Sequence, residues 1–283
     1  MSVFTINESG LIRTISPKDE MFDRTLGEES YFSCGRSALE AIGMSLQAAH
    51  KAPGDVKGIL DLPCGHGRIL RYLRAAFPDA EITACDILRD GVDFCAAHFG
   101  AVPVYSRDDP TMIPLETDSF DLIWVGSLFT HFDADIWPIW LTVLRSLLRS
   151  GGVLVFTTHG RQAYENMING TLDYRIIKPK ELEICSQYEK TGFGHVKYPG
   201  SDGYYGLTLS DPSWVFRQIA RLGDTRVVLC SERGWGDFHD VFACVRDPDW
   251  LARRQPMSAV AVTLRQRLRE RAKALLASLN LCV

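Results

Sequence analysis

Apolar and polar positions along the chain fall into short runs that alternate between two periods. Strand-like runs of mainly apolar residues occupy about 58–62, 81–85, 102–105, 120–126 and 152–158. Between them lie stretches with helical spacing, near 67–76, 90–99 and 135–149. The last of these carries Ile139, Leu141, Val143, Leu144, Leu147 and Leu148 and is expected to stop at Gly151-Gly152. Strands alternating with helices predict an α/β domain whose sheet is mostly parallel and covered on both faces. Upstream, Leu39, Ile42 and Leu46 recur at helical spacing, which predicts a leading helix. Downstream, two further strand-like runs, 226–230 and 240–245, are separated only by Ser231–Gly236 and its flanks. So short a connection predicts an antiparallel hairpin at the sheet edge.

The stretch Gly58-Ile-Leu-Asp61-Leu-Pro63-Cys-Gly65-His-Gly67-Arg68 ends a strand and turns into a helix. Glycine at 65 and 67 permits the φ values of a tight turn and lets a ligand approach the backbone. A dinucleotide fingerprint would place Gly or Ala three residues past Gly67, and Leu70 stands there instead. The turn therefore suits a ligand without a pyrophosphate. Asp86 ends the next strand about 20 residues on, where a carboxylate can accept hydrogen bonds from both ribose hydroxyls.

These residues, with Asp108-Asp109, Asp118-Ser-Phe-Asp121-Leu-Ile123 and Gly151-Gly-Val-Leu154, follow one another in an order that resembles the class I S-adenosylmethionine-dependent methyltransferases. The resemblance covers roughly residues 56 to 160. It implies a Rossmann-like, seven-stranded, mostly parallel sheet with an antiparallel terminal hairpin. S-adenosyl-L-methionine is the cofactor that it implies. It further implies cofactor contacts at Asp61, Pro63, Gly65 and Gly67, at Asp86 and Ile87, at Asp108 or Asp109 toward adenine, and at Gly126 and Ser127. Leading helices in this family often fold over the cofactor, which makes Tyr31 and Arg36 candidates for the methionine end. Arg36 is expected either to pair with the cofactor carboxylate or to stand on the helix surface.

The chain divides by this reading into a helical lid segment (1–56), the cofactor-binding core (57–158), an inserted Tyr-rich substrate cap (159–224), terminal sheet strands (225–256) and a basic helix (257–283). Arginines in that last helix alternate with a leucine stripe, so it either packs on the domain or meets a partner or membrane surface. With 283 residues, 46% hydrophobic and 23% charged, the composition is that of a globular domain with an elaboration. A formal net charge of −4 argues against a protein whose main task is gripping nucleic acid. No apolar run reaches membrane-spanning length, and the first residues lack the pattern of a secretory signal. Eight scattered cysteines form no Cys-x-x-Cys pair and no zinc-like group, which fits a reducing cytoplasm and predicts no metal. The pattern carries no signal of oligomeric state.

An activated methyl donor leaves a methyltransferase two tasks: to align the partners, and to take a proton if the acceptor is a hydroxyl. His131, after the fourth strand, is the first candidate for that base, and His159, after the fifth, is the second. Phe129, Phe132, Trp137, Tyr204 and Tyr205 could wall the pocket. The family's base-directed amino methyltransferases carry Asn/Asp-Pro-Pro-aromatic after the fourth strand. Gly126-Ser-Leu-Phe129 stands there instead, which points to oxygen. The expected acceptor is thus a small molecule. A sugar hydroxyl is suggested by likeness to bacterial enzymes of surface-glycan or secondary-metabolite assembly. A nicotinamide-dependent oxidoreductase and a non-catalytic cofactor-binding scaffold are the rival readings.

Overall fold

The computed structural model describes residues 8–200 and 203–253; the basic helix expected at 257–283 lies outside the described residues. Residues up to Asp247 form one compact unit. It begins with α1 (Gly27–Ala48), β1 (Gly58–Asp61), α2 (Leu70–Ala76), β2 (Glu81–Asp86), α3 (Arg89–Phe99) and β3 (Val102–Tyr105). There follow β4 (Phe120–Val125), α4 (Ile136–Leu147), β5 (Leu148–Thr158), α5 (Arg161–Asn169) and α6 (Lys178–Thr191). The unit closes with β6 (Phe193–Lys197), β7 (Gly206–Ser210), α7 (Pro212–Ala220), β8 (Thr225–Trp235) and β9 (His239–Arg246). A short helix, α8 (Pro248–Arg253), begins the second unit.

Seven strands form one sheet in the order β3-β2-β1-β4-β5-β9-β8. The pairs among β1 to β5 are parallel, and β9 runs antiparallel to both β5 and β8. The architecture is therefore the α/β Rossmann-like sheet expected, with its antiparallel hairpin at the edge. Strand order reverses between β1 and β4, the point at which open α/β sheets leave a crevice beyond their carboxyl ends.

Alternate strand residues feed two cores, as the period of two requires. Ile59, Leu122 and Trp124 face α1 and α2 through Leu39, Ile42, Leu70 and Leu73. Leu60, Ile123 and Val125 face α4 and α7 through Trp137, Leu141, Leu144, Val215 and Ile219. Two features depart from the sequence reading. The chain leaves α4 directly into β5 at Leu148, so Gly151 (φ 76°) is a kink within the strand rather than a helix cap. The segment expected as one cap divides: α5, α6, β6 and β7 share a small core of their own, whereas α7 belongs to the layer over the sheet.

Phe129 and Trp137 also differ from expectation. Both are fully buried in the second core, away from the cleft that Phe132, Tyr204 and Tyr205 line.

Candidate active site

Residues that follow β1, β2, β3 and β4 at their carboxyl ends converge on one cleft of two lobes. The larger, about 510 Å³, is lined by Ser106, Arg107 and Asp108 beyond β3, and by Phe132, Trp140 and Tyr204. The smaller, about 380 Å³, is lined by Gly65 and Arg68 beyond β1, Ser127 and His131 beyond β4, and Trp124 and Trp235. Pro63, Asp86, Ile87, Leu128 and Tyr205 line both lobes and mark the divide between them.

The glycine turn is fastened from below. Cys64 N–H donates to Cys85 O at 3.0 Å, and Gly65 N–H donates to Asp86 Oδ2 at 2.7 Å. Leu88 N–H, at the start of α3, donates to Asp86 Oδ1 at 3.0 Å. One carboxylate thus joins the turn to the next helix. Burial raises the Asp86 pKa against the pull of these donors. Gly65 has φ 50°, and a Cβ built on it would meet nothing within 4 Å, so its missing side chain is cleft space. Gly67 has φ 79°, and a Cβ there would lie 2.4 Å from the Phe99 ring, so its role is to let α3 pack against the turn.

Asp61 lies at the end of β1, fully buried, with neither carboxylate oxygen hydrogen-bonded among the described residues. Burial, and then the neighbouring Asp86 charge, push its pKa well above the ordinary range. Asp61 lines neither lobe, so the direct cofactor contact expected of it is not made from the cleft surface.

The pair Asp108-Asp109 is resolved by its local bonding. Asp109 turns back to accept from Thr111 N–H at 2.9 Å and from Thr111 Oγ1 at 2.7 Å, capping a short 3₁₀ turn. Asp108 lines the larger lobe, and its carbonyl accepts the Tyr204 hydroxyl at 2.5 Å. Gly126 and Ser127 line the smaller lobe. Ser127 sits at φ 59°, held by donation of its N–H to Thr157 Oγ1 at 2.8 Å. A non-glycine residue in that region costs of order 1 kcal/mol and points to a constrained site.

His131 is a half-buried wall of the smaller lobe. Its Nδ1 lies 2.9 Å from Gly206 O and 3.1 Å from Tyr198 Oη. A carbonyl can only accept, so Nδ1 carries the proton and the ring lone pair is on Nε2. Tyr205 stacks on the ring at 4.9 Å. Burial lowers the His131 pKa, which keeps the imidazole neutral.

Besides Asp61, Gly67 and Asp109, three more expected site residues lie outside the cleft lining. Arg36 is drawn away by Glu8, 2.7 Å from its Nε, and by Glu29 on its own helix, and it does not line the cleft. Tyr31 is buried, its hydroxyl donated to Asp19 Oδ2 at 2.6 Å, so it reaches the cleft only through Asp19, which lines it. His159 is buried behind the cleft, 4.7 Å from the His239 ring and packed on Tyr174. Its Nδ1 has no partner among the described residues, and burial holds its pKa well below the ordinary imidazole value. The sequence reading missed Asp19, Arg68 and Trp235 as lining residues. The Arg68 guanidinium lies 6.0 Å over the Tyr31 ring and makes no ion pair among the described residues. Its position directly after Gly67, at the mouth of the turn, was the available signal.

Residues 60–154 match a family model described as a methyltransferase domain, a stretch running from β1 into β5. The chain is 30% identical over 121 residues to the fatty-acid O-methyltransferase of Mycolicibacterium smegmatis, covering 40% of this chain and 42% of that protein. It is 26% identical over 118 residues to the malonyl-[acyl-carrier protein] O-methyltransferase of Hahella chejuensis, covering 41% of each. The similarity thus spans about two fifths of the length of these relatives. An S-adenosylmethionine-dependent methyltransferase structure from Clostridium acetobutylicum superimposes with a TM-score of 0.49 at 13% identity, over 77% of this chain and 92% of that one. The glycine turn, Asp86 and the parallel strands from β1 into β5 all lie in the stretch that matches a methyltransferase domain.

Proposed function

We propose that this chain transfers a methyl group from S-adenosylmethionine to an oxygen of a small-molecule acceptor. The observation that carries the reading is a single cleft holding both a glycine turn fastened to Asp86 and, facing it, a histidine whose lone pair is on Nε2.

S-adenosylmethionine, when bound, supplies a sulfonium-activated methyl group. The residues present fit it. Gly65 leaves the turn open, Asp86 offers a carboxylate to ribose hydroxyls, and Ile87 gives an apolar face for adenine beside Asp108. Arg68 is the guanidinium available to the methionine carboxylate, taking the role expected of Arg36. His131 Nε2 would take the proton of an acceptor hydroxyl, while the Gly206 carbonyl holds the ring in the required tautomer. Both curated relatives named above are O-methyltransferases, which supports oxygen as the nucleophile.

The nicotinamide alternative is disfavoured by Leu70 at the fingerprint position and by the antiparallel β9, where such a domain continues its parallel sheet. A scaffold that only binds the donor has no use for a base oriented toward the same lobe. The reading also places the protein in a reducing cytoplasm, where its thiols, all free among the described residues, would stay reduced. Among those residues no helix is long and apolar enough to cross a membrane.

Calorimetry with S-adenosylhomocysteine and with NADH tests the assignment. Saturable binding of the first and none of the second is expected; the reverse result would overturn it.

A further inference from the structure

Beyond the groups given to the cofactor, several polar groups that line the cleft are paired within the protein, while His66 Nε2 and Trp140 Nε1 make no hydrogen bond among the described residues. A ligand the size of S-adenosylmethionine fills roughly 500 Å³ at interior packing density. Lobes of about 510 and 380 Å³ leave room beside it. Three polar side chains around that room have partners within the protein. Asp19 takes the Tyr31 hydroxyl at 2.6 Å and the Met21 N–H at 2.9 Å. Ser127 Oγ pairs with Thr130 Oγ1 at 3.1 Å, and the Tyr204 hydroxyl is spent on Asp108 O.

The lip of the cleft shows the opposite surplus. Met21 is 54% exposed, Ile87 57%, Leu88 51% and Tyr205 44%, and all four line the smaller lobe. Flexible aliphatic side chains held in water at the mouth of a cavity gain from covering by another apolar surface. A polyhydroxylated acceptor would instead leave that apolar surface in water and gain nothing from covering it. The sugar acceptor suggested by the sequence therefore fits this lining poorly.

We infer that the acceptor is a molecule with an alkyl or acyl chain and a single oxygen nucleophile, its chain lying along Met21, Leu88, Leu128 and Tyr205 and its oxygen toward His131. This inference rests on the methyltransferase reading above. Flexible aliphatic side chains supply three of the four contacts, which suits a flexible chain rather than one rigid ring.

The test is calorimetric titration of protein saturated with S-adenosylhomocysteine, using hexan-1-ol, octan-1-ol, decan-1-ol and methyl glucoside. Each two-carbon extension is expected to tighten binding roughly tenfold, with no detectable binding of the glucoside. Met21→Asp is expected to flatten the chain-length series and Met21→Leu to preserve it. Affinity independent of chain length, tighter binding of the glucoside, or a series unchanged in Met21→Asp would each overturn the inference. Failure to bind S-adenosylhomocysteine at all would instead overturn the methyltransferase reading.

Discussion

Asp86 Oδ2 accepts the Gly65 N–H at 2.7 Å, so the acid proposed to hold the ribose also holds the turn that receives the rest of the cofactor. Replacing it removes two things together. Asp86→Ala is expected to weaken S-adenosylhomocysteine binding by ~1–3 kcal/mol, the cost of leaving polar partners unpaired. It should also lower Tm, because the Gly65 and Leu88 amides lose their acceptor. Calorimetry and thermal melts read the two effects separately. Unchanged cofactor affinity would remove Asp86 from the site.

His131→Ala is expected to reduce turnover roughly 10²-fold or more while cofactor affinity is kept, as removal of a general base requires. Burial lowers its pKa, and the active form is the neutral one. The acid limb of kcat/KM should therefore fall below the ordinary histidine value of about 6.5 rather than at it. A pH–rate profile checks both the limb and its loss in the variant.

Arg68→Met should separate the two ends of the cofactor. Affinity for S-adenosylhomocysteine is expected to fall about tenfold, the loss of one charge-assisted pair. Affinity for 5′-methylthioadenosine, which lacks the amino-acid tail, should not change. Equal losses for both ligands would mean that Arg68 shapes the turn instead of reading the carboxylate.

Gly67→Ala is a stability prediction. The substitution places a side chain at φ 79° with its Cβ against the Phe99 ring at 2.4 Å. Strain of this kind typically costs 1–3 kcal/mol, and a urea melt should show the loss. Gly65→Ala meets open space at φ 50° and is expected to impair cofactor binding more than folding.

Acid should destabilise the fold through the buried histidines behind the cleft. Burial takes His239 down to about 3 and His159 well below its ordinary value, against about 6.5 in the unfolded chain. As pH falls below about 6.5, the unfolded state binds protons that the folded state refuses, so stability drops. Asp240, raised to about 6 by burial, acts in the opposite sense between its unfolded value and 6, as do the raised Asp61 and Asp86, against the four lowered imidazoles of His131, His159, His195 and His239. Tm should decline from pH 6.5 downward, and His239→Phe, which also removes two unpaired nitrogens, should make the decline shallower.

The parallel half of the sheet was legible because its signals are local. Each strand from β1 to β4 begins and ends within a residue or two of its apolar run, and a turn residue marks each exit. Even the direction of β9 followed from the shortness of the loop before it. The β6–β7 ribbon was not legible, because its strands are fixed by pairing with each other and with the segment after β4 rather than by their own periodicity. The cleft divides the same way. Gly65 and Asp86 are read from position, but the choice between Arg36 and Arg68 depends on which helix face turns inward. Glu29 stands two helical turns before Arg36 on the same face, a sequence sign of the ion pair that holds Arg36 outside. Asp19 and Trp235 come from segments whose approach to the cleft is set only by the tertiary fold.

The inner strand of the β6–β7 ribbon is attached to the sheet layer by its backbone. The amides of Gly206, Thr208 and Ser210 donate to the carbonyls of His131, Thr130 and His159. Gly206 is fixed by the same seat, since a Cβ there would lie 2.2 Å from Val196 O, but Tyr204 and Tyr205 stand just before these links and take no part in them. On the proposed reading, substitutions at Tyr204 and Tyr205 would change the acceptor side of the cleft while the seat of β7 and the glycine turn stay as they are.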